Sequence, residues 1–344
     1  MSLTPKAAAP KVPVRTFSAA WVAVIALVCA GGAAGATAAY FTYAPGAAPA
    51  ACAPGSTPCF VNITDDLGRA VTVPFDPARV AVLSPNIMDA MFRLGLRSHV
   101  VGVDCYAPAF GGISSDYSSD QIALWNLSSA MCIQVGPTFS LEELANATPS
   151  LVLASTIIPA QAVSEIIATL HIPVVILQPS TLSGILTDVG LLGEIFGVVP
   201  AATALTVQLA DELANASSAL AQYPSIPTVL VTYSVDSNGY WTFGAGTFGT
   251  SLIVLAGGQS ISANNSNPYP ELPPETVLSA NPYWVIYGTG FGYNESFYES
   301  APGWSSLSAV QNARAVGLDS NYLTEPDPTM ILTGLPDLIA ILHP

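Results

Sequence analysis

Three histidines, His99, His171 and His343, are the only imidazoles in a chain of 344 residues, and they lie far apart. No His-Glu-x-x-His, Gly-x-Ser-x-Gly or phosphate-loop lysine motif occurs, and no lysine follows Lys11. A hydrolytic triad built from distant residues would have to recruit one of these three histidines. A bare-metal site needs His and carboxylates in a cluster, which the sequence does not supply. These residues therefore predict no enzyme, no resident cofactor and no bound metal. One motif is literal: Gly244-Ala245-Gly246-Thr247-Phe248-Gly249 matches Gly-x-Gly-x-x-Gly after a strand-like Tyr240–Phe243. Its nucleotide reading fails because Glu271, the acid at the required interval, sits in a Pro-rich loop. A loop whose glycines let backbone amides approach another ligand is the expectation instead. Aromatic side chains are the remaining resource. Tyr106, Phe110, Phe139, Trp241, Phe243, Tyr269, Phe291 and Tyr322 fall mostly in loops after apolar runs, where parallel sheets present ligand sites.

The elements that must position these side chains begin outside the cell. Residues 1–16 carry Lys6, Lys11 and Arg15 and read as a cytoplasmic N-terminus by the positive-inside rule. Residues 17–43 are almost wholly apolar and long enough to cross a bilayer of roughly 30 Å. They are either a retained transmembrane anchor or a cleaved signal sequence, with Ala34-Gly35-Ala36 and Ala36-Thr37-Ala38 as cleavage sites. In both cases the remainder is exported, to the cell surface or the outer side of the cytoplasmic membrane. Glycosylation triplets at Asn62, Asn126, Asn215, Asn264 and Asn294 agree with export, and a sixth at Asn146 is weakened by Pro149. So do four cysteines without a Cys-x-x-Cys pair, Cys52, Cys59, Cys105 and Cys132. The most local pairing joins Cys52 to Cys59 and Cys105 to Cys132. The net charge is -15, and beyond Arg15 five arginines face all 23 acids, a balance of -18. That sign excludes nucleic acid as a partner.

Residues 44–59 are rich in Ala, Pro and Gly and read as a linker. From residue 60 short apolar runs alternate with helical spacing. The runs at 80–83, 100–103, 151–154 and 174–177 are apolar on both faces, as in a buried parallel sheet. Ser140 with Glu143 predicts a capping box. A second set places strands at 228–232, 284–287 and 315–318 and helices at 250–256, 276–280 and 328–342. Between the sets, Leu205, Leu209 and Leu213 recur every four residues after Pro200, so one long helix should join two lobes. The fold class is α/β, with a lobe over 60–182, a connecting helical segment over 183–223 and a second lobe over 224–344. Each lobe has a central, mostly parallel sheet.

The ordered segments Ile63–Pro74, Pro77–Asn86, Leu94-Gly95, Val101–Asp104, Leu141–Leu144, Pro149–Leu153, Leu255–Gly258 and Leu342–Pro344 resemble the helical-backbone substrate-binding proteins of ABC importers for cobalamin, ferric siderophores and haem. The likeness covers residues 62–344. It implies a monomeric receptor that holds a small-molecule metal chelate in a ligand cleft between the two lobes and works with a membrane permease and its cytoplasmic ATPase. It also implies ligand contacts from Ser84, Pro85, Asn86, Tyr106 and Phe139 in the first lobe and Phe243, Tyr269 and Tyr322 in the second, with Trp241 added from the aromatic pattern. Asp89 falls at the family's permease-docking acid, whereas Gly246 and Val254 offer no charge in the second lobe. Glu271 or Glu275 is the substitute there. After the last strand Asp327-Pro328-Thr329 replaces the family's Gly-Pro-Arg, so no cation faces the ligand. The rival class is a two-lobed surface sensor or adhesion module that kept the fold without transport.

Overall fold

The structure is a computed structural model that describes residues 59–104, 130–135, 139–290 and 293–344. The apolar segment 17–43, most of the linker, Cys52, Cys105, Tyr106, Phe110, Asn126 and Phe291 lie outside those residues. Among the described residues no helix is long and apolar enough to cross a membrane. Cys59 and Cys132 are both disulfide-bonded, and their expected partners are among the residues not described.

The first lobe opens with a hairpin of β1 (Phe60–Thr64) and β2 (Ala70–Pro74), which sequence periodicity missed. Asp65 closes its turn, accepting from the Leu67 and Arg69 backbone and pairing with the Arg69 guanidinium at 2.6 Å. The strands β3 (Val80–Leu83), β4 (Val100–Asp104), β5 (Met131–Ile133), β6 (Leu151–Ala154) and β7 (Val174–Ile176) form one parallel sheet in the order β5-β4-β3-β6-β7. Every side chain of β3 and β6 is buried, which is why those runs are apolar on both faces. The capping box is half formed. Ser140 Oγ accepts from Glu143 N at 3.2 Å, but the Glu143 carboxylate turns outward to accept from Gln134 N at 2.7 Å. Glu143 thereby ties helix Leu141–Ala147 to the end of β5.

The long helix expected after Pro200 runs over Val199–Ala219, and another helix, Leu182–Ile195, precedes it in the connection. Gly197, at φ +69, separates them in a conformation that favours glycine. They approach so closely that a Cβ on Gly193 would lie 2.4 Å from the Ala202 methyl. The second helix has 21 residues, spanning ~31 Å at about 1.5 Å per residue.

The second lobe holds β8 (Thr228–Thr232), β9 (Ser234–Val235), β10 (Tyr240–Trp241), β11 (Gln259–Ser260), β12 (Glu271–Leu272), β13 (Trp284–Thr289) and β14 (Ala315–Asp319). Four of them form a parallel sheet, β11-β8-β13-β14, and the other three a small antiparallel sheet, β12-β10-β9, continuing from the carboxyl end of β8. Of the small sheet only β10 was legible, within the strand-like Tyr240–Phe243; β9 and β12, two residues each, were missed. One continuous apolar core runs from Val82 and Leu153 through Leu192, Leu205 and Leu209 to Val231, Ile286 and Leu335. Each such buried aliphatic side chain contributes about 1.5–3 kcal/mol, so the connecting helices are fused to both lobes.

Candidate functional site between the lobes

Parallel strands deliver their carboxyl ends to one side of each sheet, where loops are free to build a site. Here those ends converge. The segment after β14 leaves the second lobe and crosses to the first-lobe helix Pro85–Arg93, which starts at the end of β3. Asp89, on that helix, accepts from Thr329 N at 3.2 Å and Thr329 Oγ1 at 3.0 Å, and Arg93 Nε reaches its carboxylate at 2.8 Å. The Arg93 guanidinium also donates to Thr329 Oγ1 at 2.6 Å. One residue on, Met330 N donates to Asp327 at 2.8 Å. Asp89 of the first lobe and Asp327 of the second therefore share the amino end of the final helical segment, which closes at Leu342. Asp89 is 1% exposed. Its expected role as a permease-docking acid is thus corrected, because a carboxylate sealed between the lobes presents no charge outward.

Carboxyl groups crowd this boundary. Burial, then the neighbouring Asp89, pushes Asp327 well up from the ordinary carboxylate range. Burial, then Asp104 at the end of β4, pushes Glu325 up to about 8. A second pair lies beside the connecting helix. Asp188 is 6% exposed, neither of its oxygens meets an N–H donor, and its polar neighbour is the carboxyl of Asp66. Burial, then Asp66, pushes Asp188 up to about 9, while burial raises Asp66 as well. Asp66 is held in place by Gln178 N, at 2.6 Å. All five described arginines are engaged elsewhere. Arg69 pairs with Asp65, Arg93 with Asp89, Arg79 bonds the Ala147 and Thr148 carbonyls, Arg314 covers the Tyr283 ring at 4.1 Å, and Arg97 has its own partner.

The expected ligand residues separate into three groups. Ser84 and Asn86 do lie at the lobe boundary, but both are buried and Ser84 Oγ donates to Asn86 Oδ1 at 2.5 Å, with Pro85 as the first helical residue. Trp241 and Tyr269 remain accessible on the second lobe. Trp241 is half-buried and its Nε1 donates to Asp236 Oδ2 at 3.3 Å, and Tyr269 is 42% exposed. Phe243 is a correction. It is 2% exposed, with the rings of Tyr233, Phe248 and Tyr269 around it, so it supports the accessible Tyr269 from beneath. Phe139 and Tyr322 are likewise half-buried against the cores of their lobes. Glu271, the substitute docking acid, is half-buried opposite Trp241, with Asp236 as its polar neighbour. Glu275 lies in the first turn of helix Pro274–Ala280.

The glycine motif has a structural cause. A Cβ on Gly244 would lie 1.9 Å from Asn267 O, and one on Gly249 would strike the Phe243 ring at 2.3 Å. The amides of Gly244 and Ala245 donate to Pro268 O and Asn265 O, both at 2.8 Å. Those two amides are spent within the fold and do not face a ligand. Among the described residues no three His, Cys, Asp or Glu side chains are grouped to hold a metal.

Comparison with known proteins places this geometry. The family model described as periplasmic binding protein matches residues 80–322. A cobalamin-binding protein of Halobacterium salinarum is 26% identical over 293 residues, covering 82% of this chain and 75% of the relative. A vitamin B12-binding protein of Vibrio cholerae is 23% identical over 273 residues, covering 78% and 90%. Among solved structures, the periplasmic vitamin B12 binding protein of Vibrio cholerae superposes with a TM-score of 0.62 at 20% identity, over 78% of this chain and 98% of that one. The periplasmic haem-binding protein of Roseiflexus gives 0.64 at 22%, over 77% and 97%. These neighbours are binding proteins, and two α/β lobes on a helical connection are their fold. The chain belongs to the periplasmic binding protein family.

Proposed function

We propose that this protein captures an uncharged or cationic metal chelate, a corrinoid foremost, on the outer side of the membrane and delivers it to an ABC permease. The observation that carries the reading is that the lobe boundary is lined by carboxyl groups and offers no free cation among the described residues. Asp66, Asp89, Asp104, Asp188, Glu325 and Asp327 approach it, and every described arginine is engaged. An anionic ferric siderophore or a haem with ionised propionates meets no counter-charge there, and burying an anion without a partner is costly. Trp241 and Tyr269 supply aromatic faces for the planar part of the ligand. Two relatives, one named a cobalamin-binding protein and one a vitamin B12-binding protein, support the same class. Residues 17–43 hold the receptor at the membrane, and Asn215, Asn264 and Asn294 are exposed acceptors for glycans.

The test is a thermal-shift panel of cobalamins, haem and ferric siderophores on the full chain. A ligand at 100 times its dissociation constant adds about 2.7 kcal/mol to stability. Stabilisation by corrinoids alone is expected. Stabilisation by an anionic siderophore alone would overturn the charge argument. Retention of the Lys6–Arg15 peptides in the mature protein, read by mass spectrometry, checks the anchor.

A further inference from the structure

The small antiparallel sheet of the second lobe sorts its side chains cleanly between two faces. Along β9, β10 and β12, Val235, Tyr240 and Leu272 are buried in the core, so their alternates Ser234, Trp241 and Glu271 share the opposite face. Trp241 is the centre of that row, half-buried, with Ser234 across from it on one side and Glu271 on the other. A half-exposed ring on a two-residue strand has little packing to select its rotamer. Its polar handle makes the selection instead. Trp241 Nε1 donates to Asp236 Oδ2 at 3.3 Å. Asp236 is exposed, yet it is fixed from its own side. Its Oδ1 accepts from Asn238 N at 2.7 Å, its N–H donates to Gly239 O at 3.1 Å, and a side chain on Gly239 would overlap Leu272 O. The turn is thus pressed against β12 and carries its carboxylate beside the indole. These bonds, the Asn238 amide first and the indole second, hold Asp236 below the ordinary carboxylate range, so it is an anionic acceptor at neutral pH. A hydrogen bond at a water-exposed edge adds little to stability, because water offers the same N–H an acceptor. What it restricts is the rotation of the ring.

We propose that Asp236 is a positioning residue of the ligand site: by accepting from Nε1 it locks the Trp241 indole in one rotamer and presents the face of the ring, already oriented, to the planar part of the chelate. The proposal rests on reading Trp241 as a ligand contact. Asp236 touches no ligand and acts through the indole alone. A side chain ordered at the moment of binding, instead of beforehand, weakens affinity about two- to tenfold.

The experiment has one readout that needs no ligand and one that does. The full chain contains five tryptophans, so labelling with fluorotryptophan gives a fluorine line for each, and the Trp241 line is the one lost in Trp241→Phe. A single narrow Trp241 line is expected in the native protein, shifted and broadened in Asp236→Ala as the ring samples several rotamers. The melting temperature of Asp236→Ala should change by less than about 2 °C, which a purely structural role would exceed. Affinity for cyanocobalamin, read by equilibrium dialysis, should fall about two- to tenfold in the same variant. In a Trp241→Phe background, which has no N–H for the carboxylate to hold, Asp236→Ala should bring no further loss. An unmoved Trp241 line in Asp236→Ala would overturn the proposal, and so would undiminished affinity. Equal losses in the native and Trp241→Phe backgrounds would also overturn it, since the carboxylate would then act by its charge or through the turn. Binding of haemin or ferrichrome in place of cyanocobalamin would overturn only the corrinoid reading, and the same comparisons are then made with that probe.

Discussion

The bond network joining Asp89 and Arg93 of the first lobe to Thr329 of the second can be weighed by a double-mutant cycle. Asp89→Asn keeps the shape but removes the charge, leaving the Arg93 guanidinium without its carboxylate and Thr329 with poorer acceptors. Hydrogen bonds to a charged group contribute about 1.5–3 kcal/mol each, and removing one partner of a buried ion pair costs about 3–5 kcal/mol. The Arg93 side chain keeps 25% of its surface in water, and the loss of one negative charge relieves Asp327 beside it. Both facts lower the figure, to about 2–3 kcal/mol. Thr329→Val removes a hydroxyl that donates to Asp89 and accepts from Arg93, at about 1–2 kcal/mol. Since both substitutions dismantle one network, the double variant should lose about 1–2 kcal/mol less than the sum. Urea unfolding at constant m-value measures all three, because m follows the surface exposed. Additive losses, or an Asp89→Asn cost below about 0.5 kcal/mol, would show that the lobes are not latched here.

Three other expectations follow from the same contacts. Phe243→Ala should destabilise by about 3–5 kcal/mol, since it empties the centre of an aromatic cluster, whereas Tyr269→Ala and Trp241→Ala should weaken chelate binding with little change in melting temperature. Glu325 and Asp188 are raised in the folded state, to about 8 and about 9, so the folded protein binds more protons than the unfolded chain from pH 4 upward. Stability should therefore fall as pH rises from 5 to 9, with Glu325→Gln flattening the slope in chemical denaturation; a stability that rises over that range contradicts the burial of these acids. Non-reducing peptide maps should link Cys52 to Cys59 and Cys105 to Cys132, and any cross-linked pair between those sets rejects the local pairing.

The alternation of elements was legible because it rests on local periodicity. The run Thr228–Thr232 is a strand with those bounds, and the helical spacing over 328–342 is helical from Met330 to Leu342. Two-residue strands such as Ser234–Val235 leave too little pattern to read. The site was less legible for a different reason. Asp89 meets a residue 240 positions away, and nothing around it in sequence distinguishes a solvent-facing helical acid from one that bonds another lobe. Phe243 shows the same limit, since loop position alone does not tell an aromatic that meets ligand from one that supports it. Asp188 went unremarked because a single acid on an apolar helix reads as a polar face. Its neighbour Asp66 lies more than a hundred residues earlier.

The hairpin at the start of the described chain also fixes where a mechanical load enters. Cys59 O accepts from Phe75 N, Asp76 N donates to Ile195 O, and the Phe75 ring fills the space beside Gly197. The attachment point of residues 1–58 is thus bracketed to the end of the first connecting helix, next to the turn about which the lobes are joined. A pull on that end of the chain enters beside the helix junction, with a short lever arm to either lobe. A load entering there falls on the junction of the two connecting helices and not on the edge of either sheet.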